Sequence, residues 1–174
     1  MANKVYVARE TAIVWSDTAG DLAITINNLG AGAGRVGARK DWGAGSTSEW
    51  YSWRLTVQFE SAPTIGETVD IYLSTSDGTE EDGQVGTADA ALDTSNTLTN
   101  LMYIGTLIVT SADADHDMTT SGVCRIPTRY VSPVIYNNTV VNLQATNDTG
   151  EFTCHQKYNN TIIKLTGLKP ILAK

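Results

Sequence analysis

A chain of 174 residues, 41% of them hydrophobic and 18% charged, is long enough to bury a core without disulfides or a structural metal. No apolar run approaches the roughly 18 residues of a spanning helix, so no membrane segment is expected. A net charge of −7, with only 12 Lys and Arg scattered along the chain, argues against a sequence-independent grip on nucleic acid.

The opening residues Met1 to Val7 lack the apolar centre of a secretory signal, so intracellular synthesis is expected. Short strand candidates then follow one another: Lys4 to Ala8, Ala12 to Trp15, Leu22 to Asn28, Trp53 to Glu60, Thr68 to Ser74, Leu101 to Thr110, Val123 to Val131, Thr139 to Ala145, Glu151 to Gln156 and Thr161 to Leu165. The clearest are Trp53, Leu55, Val57 and Phe59, alternating with Arg54, Thr56, Gln58 and Glu60, and Val69, Ile71 and Leu73, alternating with Asp70, Tyr72 and Ser74. Period-2 alternation marks half-buried strands. The intervening Ser61 to Gly66, with Pro63 and Gly66, reads as an antiparallel reversal. The best helical candidate, Thr87 to Leu92, is no more than a turn.

These elements predict an all-β protein, an antiparallel jelly roll or β-sandwich of about 8–10 strands with long loops, forming one domain over 1–174. Residues 1–9 read as an extended arm and 167–174 as an apolar tail. Two stretches break the strand rhythm. Gly30 to Ser48 holds six glycines together with Arg35, Arg39, Lys40 and Trp42, and reads as a long functional loop. Asp77 to Thr97 is acidic and polar, and is expected to arch over the surface between two core strands.

Candidate chemistry is sparse. Gly30-Ala-Gly-Ala-Gly-Arg35 satisfies neither nucleotide-loop spacing, and no helix follows it to lend a dipole. Asp77, Glu80, Glu81 and Asp82, and the run Asp113-Ala-Asp-His-Asp117, offer oxygen ligands, but the glycine and distal glutamate of a calcium loop are missing after Asp113. Solvated turn carboxylates are the expected reading, with no metal and no cofactor. His116 and His155 are the only histidines, and His155 follows Cys154 on the opposite strand face, a poor geometry for a nucleophile and base. No enzyme is expected. Cys124 and Cys154 sit in apolar segments and read as buried free thiols. The sequons at Asn137, Asn147 and Asn159 read as tight turns. Among the tryptophans, Trp53 belongs to the core register and Trp42 is the one available to a partner.

The Gly-Ala-Gly-Ala-Gly-Arg loop, the Trp53-Arg-Leu-Thr-Val-Gln-Phe59 strand, Gly66 to Gly78, Tyr103-Ile-Gly-Thr-Leu107 and Arg129 to Asn138 together resemble a family of small structural proteins of tailed bacteriophages. That resemblance covers about half of the chain. It implies a capsid decoration, or cement, protein with a jelly-roll-like body, bound as a homotrimer to the major capsid protein on the outer surface of the virion and stabilising capsomer seams. On this reading Arg35, Arg39, Lys40 and Trp42 hold the protein to the shell or to a sister subunit. The alternative is a carbohydrate- or receptor-binding β-sandwich module on the virion, using Trp42 as its aromatic platform.

Overall fold

A computed structural model describes residues 12–17, 20–43, 50–92, 95–144 and 150–156. Eleven strands run through them: β1 (Ile13–Ser16), β2 (Leu22–Ala23), β3 (Gly34–Val36), β4 (Lys40–Asp41), β5 (Trp50–Val57), β6 (Thr68–Ser76), β7 (Ala90–Ala91), β8 (Met102–Ile108), β9 (Met118–Arg125), β10 (Tyr130–Asn137) and β11 (Glu151–Gln156). The first sheet has the order β2-β1-β11-β5-β9; the second has the order β7-β3-β10-β6-β8, with β4 also paired to β10. All pairings are antiparallel except that of β1 with β2. The fold is the β-sandwich that the alternation predicts.

Trp53, Leu55 and Val57 of β5 bury their side chains from one sheet, and Val69, Ile71 and Leu73 of β6 bury theirs from the other, into one apolar cluster. Each such side chain contributes on the order of 2 kcal/mol relative to exposure. The expected reversal between these strands is corrected here: β5 and β6 lie in different sheets and are not hydrogen-bonded to each other. The intervening residues 58–67 span the roughly 10 Å between sheets. Alternation identifies the buried face of each strand but is silent on whether that face is shared within one sheet or across two.

The Trp53 indole is wedged between the sheet-edge strands β8 and β9. A Cβ on Gly105 or on Gly122 would come within 2.6 Å of its ring. These two glycines make room for the largest side chain at the sandwich edge.

Five further expectations are corrected. The stretch Gly30 to Ser48 is not one long loop, because β3 and β4 form within it and pair with β10. Val123 to Val131 straddles the end of β9 and the start of β10, with Pro127 in the corner between them. Thr139 to Ala145 contributes only an isolated bridge, Leu143 to Phe59, and Leu22 to Asn28 only β2, although Ile24 and Ile26 beyond it are fully buried as the alternation requires. Thr87 to Leu92 supplies β7 in place of a helical turn. Pro133, in mid-β10, obscures that strand in the sequence. Its carbonyl accepts from Gly37 N at 2.8 Å. Its missing N–H falls between the end of β3 and the start of β4, where the ladder is already interrupted.

The described residues between β6 and β8 add the edge strand β7 to the second sheet and bring apolar side chains onto its outer face. There Val85, Leu92, Leu98 and Leu101 build a small second cluster on Val36, Val134 and Tyr72. The strand candidates Lys4 to Ala8 and Thr161 to Leu165, the arm 1–9, the tail 167–174 and the sequons at Asn147 and Asn159 lie outside the described residues.

Candidate interaction surface

The four residues singled out in the sequence fall on or beside β3 and β4, and each meets a partner within the chain. On β3, Arg35 Nε donates to Asp89 Oδ1 at 2.6 Å. Asp89 also accepts from Thr25 N at 3.1 Å and from Thr25 Oγ1 at 2.5 Å. Burial works against the charge on Asp89, but the bonds from Arg35 and Thr25 outweigh it and hold the carboxyl below its ordinary pKa. The hydrogen bond to Asp89 likewise raises the pKa of Arg35.

Arg39 Nη1 donates to Glu81 Oε1 at 2.6 Å, and its guanidinium lies 4.7 Å from the centre of the Tyr130 ring. Arg129 lies 4.9 Å from the same ring and forms a fork on Asp41, with both nitrogens at 2.6 Å from the carboxylate oxygens. That fork, aided by Gly43 N, brings the Asp41 pKa down to about 2. Tyr130 is thus flanked by two cations, and the chain at Gly78 (φ +105°) leans on its edge, where a Cβ would meet the ring at 2.7 Å. Lys40 Nζ lies 5.7 Å from the Trp42 ring centre, and Trp42 in turn packs on Tyr51 at 4.8 Å.

The four residues therefore do not form a free basic patch. Trp42, expected to be available, is half-buried, with one side taken by Tyr51. Sequence reasoning missed Asp41, Asp89, Arg129 and Tyr130, which complete the arrangement, and its reading of Glu81 as a solvated turn carboxylate is corrected, because Glu81 is nearly buried and paired with Arg39. The only signal was Arg129-Tyr130 inside a segment quoted for its resemblance.

Beside this cluster opens a cleft of about 480 Å³, lined by Thr75, Ser76, Asp77, Thr79, Glu80, Asp82 and Thr128. Two of its acidic groups, Asp77 and Asp82, are engaged in shaping the loop. Asp77 Oδ1 accepts from Thr79 N at 2.8 Å and Glu80 N at 3.5 Å, bonds that lower its pKa, while Asp82 accepts from Thr75 Oγ1. In the Asp113 to Asp117 turn, Asp113 caps Asp115 N and Asp117 accepts from Gln58 Nε2. Among the described residues no three His, Cys, Asp or Glu side chains are placed to hold one metal ion.

Cys124 and Cys154 are free and buried. Burial pushes the Cys124 thiol up to about 11 and Cys154 further in the same direction, so both stay protonated and unreactive at neutral pH. The side chain of His155 lies outside the described residues.

At the other end of the sandwich the surface is different in kind. The 64–67 turn, the end of β8 and the 138–140 turn meet there. Gly66 N donates to Val109 O, Thr68 pairs with Ile108, and the Glu67 carboxylate accepts from both Thr64 N and Val140 N at 3.3 Å. Three large apolar side chains are displayed at that end: Ile65 (64% exposed), Ile108 (59%) and Val140 (70%). Beneath them Asn137 is fully buried. Its Nδ2 lies 2.9–3.2 Å from the carbonyls of Val141, Leu29 and Gly30, and its Oδ1 accepts from Thr139 N and Oγ1. The first predicted sequon is therefore an internal strut.

No protein-family model and no curated protein sequence matches this chain. Similar solved structures include murine APRIL at pH 5.0, with 14% identity over 70% of this chain and 74% of that one and a TM-score of 0.38. A second is the C-terminal domain of EclA, a sugar-binding protein, with 13% identity over 88% of this chain and 79% of that one and a TM-score of 0.35. Likeness at this level does not bear on function.

Proposed function

We propose that the protein is a non-enzymatic virion component, a capsid decoration or cement protein that seats on the outer shell as a homotrimer and contacts the major capsid protein. The observation that carries this reading is the apolar end, where Ile65, Ile108 and Val140 stand more than half exposed on the tips of a stiff sandwich. Exposed apolar side chains gathered at one end fit a surface that is covered in an assembly. The sequence resemblance supplies the kind of assembly. Three copies around a threefold turn several modest contacts into firm attachment through effective concentration.

Attachment through Arg35, Arg39, Lys40 and Trp42 is now narrowed. Arg35 and Arg39 already hold internal carboxylates, which leaves Lys40 and the open side of Trp42 for a neighbour.

The test is sedimentation of the purified protein with shells that lack it, followed by electron cryo-microscopy. The wild type is expected to co-sediment and to give trimeric density on the outer surface. Ile65→Asp combined with Val140→Asp is expected to leave the fold intact and weaken attachment by about a hundredfold. Undiminished attachment of a folded double variant overturns the role of this end, and density only at a tail or spike overturns the cement reading.

A further inference from the structure

We propose that the uncovered part of the outer face of the second sheet, centred on Asp70 and Tyr103, binds a neutral saccharide bearing adjacent hydroxyl groups. This goes beyond the capsid reading, on a face that adjoins the apolar end, where Ile108 lies one row beyond Thr106. Residues paired across an antiparallel ladder share a face, and the register places Tyr136, Asp70 and Thr106 in one row and Tyr72 beside Tyr103 in the next. This face is not core. The second apolar cluster covers only part of it, reaching as far as Tyr72.

The polar groups here are pre-positioned. Asp70 Oδ1 accepts from Thr106 Oγ1 at 2.5 Å, and Oδ2 accepts from Asn138 Nδ2 at 2.6 Å. Tyr103 OH in turn donates to Thr106 Oγ1 at 2.5 Å. Each carboxylate oxygen retains a lone pair, and Asn138, which is exposed, retains its carbonyl and a second N–H. The Tyr72 hydroxyl has no hydrogen-bond partner among the described residues. Burial first, and then the neighbouring Asp70 charge and the hydroxyls of Tyr103 and Tyr136, raise its pKa, so it remains a donor at neutral pH. Tyr136 is itself tied back, its hydroxyl donating to Gly32 O at 2.9 Å.

An aromatic surface adjoins this array. The Tyr103 ring is 56% exposed and is held edge-on against Tyr72 at 5.5 Å. A fixed carboxylate and amide matched to adjacent hydroxyls, beside an open ring matched to the apolar C–H face of a pyranose, is the chemistry that recognises a neutral sugar. The Asp70 charge on a chain of net charge −7 disfavours acidic sugars. Asp70, Tyr72, Tyr103 and Thr106 sit on strands and Asn138 follows directly on β10, which keeps the array rigid without a ligand.

The test is an array of neutral and acidic oligosaccharides, with titration calorimetry on soluble forms of the hits to separate recognition of a free saccharide from avidity for an immobilised surface. Wild type is expected to bind neutral members, with Tyr103→Ala and Asp70→Asn each weakening binding at least about tenfold while melting normally. Tyr103→Phe, which keeps the ring, is expected to restore most of the affinity. The Ile65→Asp, Val140→Asp double variant is expected to bind sugar as the wild type does, so loss of shell attachment and loss of sugar binding are separable. Absence of binding to any neutral glycan up to about 1 mM, or hits untouched by Tyr103→Ala and Asp70→Asn, overturns the proposal.

Discussion

The two ends of the sandwich treat their side chains in opposite ways. At the end where β4 meets β10, charged groups are dense, and most are matched within the chain: Arg39 with Glu81, Arg129 with Asp41, and both arginines with the Tyr130 ring. At the end where β6 begins, apolar side chains that are far apart in sequence, Ile65, Ile108 and Val140, are left uncovered above a fully satisfied Asn137. The difference teaches that charge density along a chain is a poor guide to where a partner binds. Charges that find internal partners are already committed, whereas exposed apolar surface still gains by burial.

The largest effect is expected beneath the apolar end. Asn137→Ala removes the Nδ2 bonds to the carbonyls of Leu29, Gly30 and Val141 and leaves the buried Thr139 N without its acceptor, and is expected to cost about 3 kcal/mol in urea unfolding. A cost below about 1 kcal/mol would mean that the turns at this end are not held by that side chain. At the charged end a smaller loss is expected. Arg39→Ala removes one ion pair and one cation–aromatic contact and leaves the Glu81 side chain, only 9% exposed, without its cation, for about 2 kcal/mol, with shell attachment unchanged. If attachment fails while the fold holds, the contrast between the ends is reversed.

The smallest effect is electrostatic. Asp41 is expected to titrate near 2 by carboxylate NMR, and Arg129→Ala to return it toward the ordinary value near 4. Because the folded pKa lies below the unfolded one, the fork favours the folded state above about pH 4, and that contribution is lost as pH falls through about 2. An Asp41 titration that does not move in Arg129→Ala would show the fork to be absent in solution.

Much of the core was legible before any coordinates. The alternation in β5 and β6 named Trp53, Leu55, Val57, Val69, Ile71 and Leu73 as inward-facing, and all six are buried. It also placed Asp70 and Tyr72 on one outward face, half of the proposed sugar site. The other half was not legible. Tyr103, Thr106 and Asn138 come from β8 and from beyond the end of β10, and only the ladders bring them to Asp70. Strands β3 and β4 were hidden because three and two residues carry no period of their own, and β10 because Pro133 is compatible with a central strand only where its neighbour has a gap.

Side-chain period, turn chemistry and composition thus determined the class, an all-β chain with inward faces already assigned, because these properties act over a few neighbouring residues. Tertiary structure alone decided which sheet each strand joins, that Arg35 and Arg39 are matched by Asp89 and Glu81, and that three isolated apolar residues share one end. Those outcomes depend on pairings between residues tens of positions apart, and a local pattern carries no information about the partner it will meet.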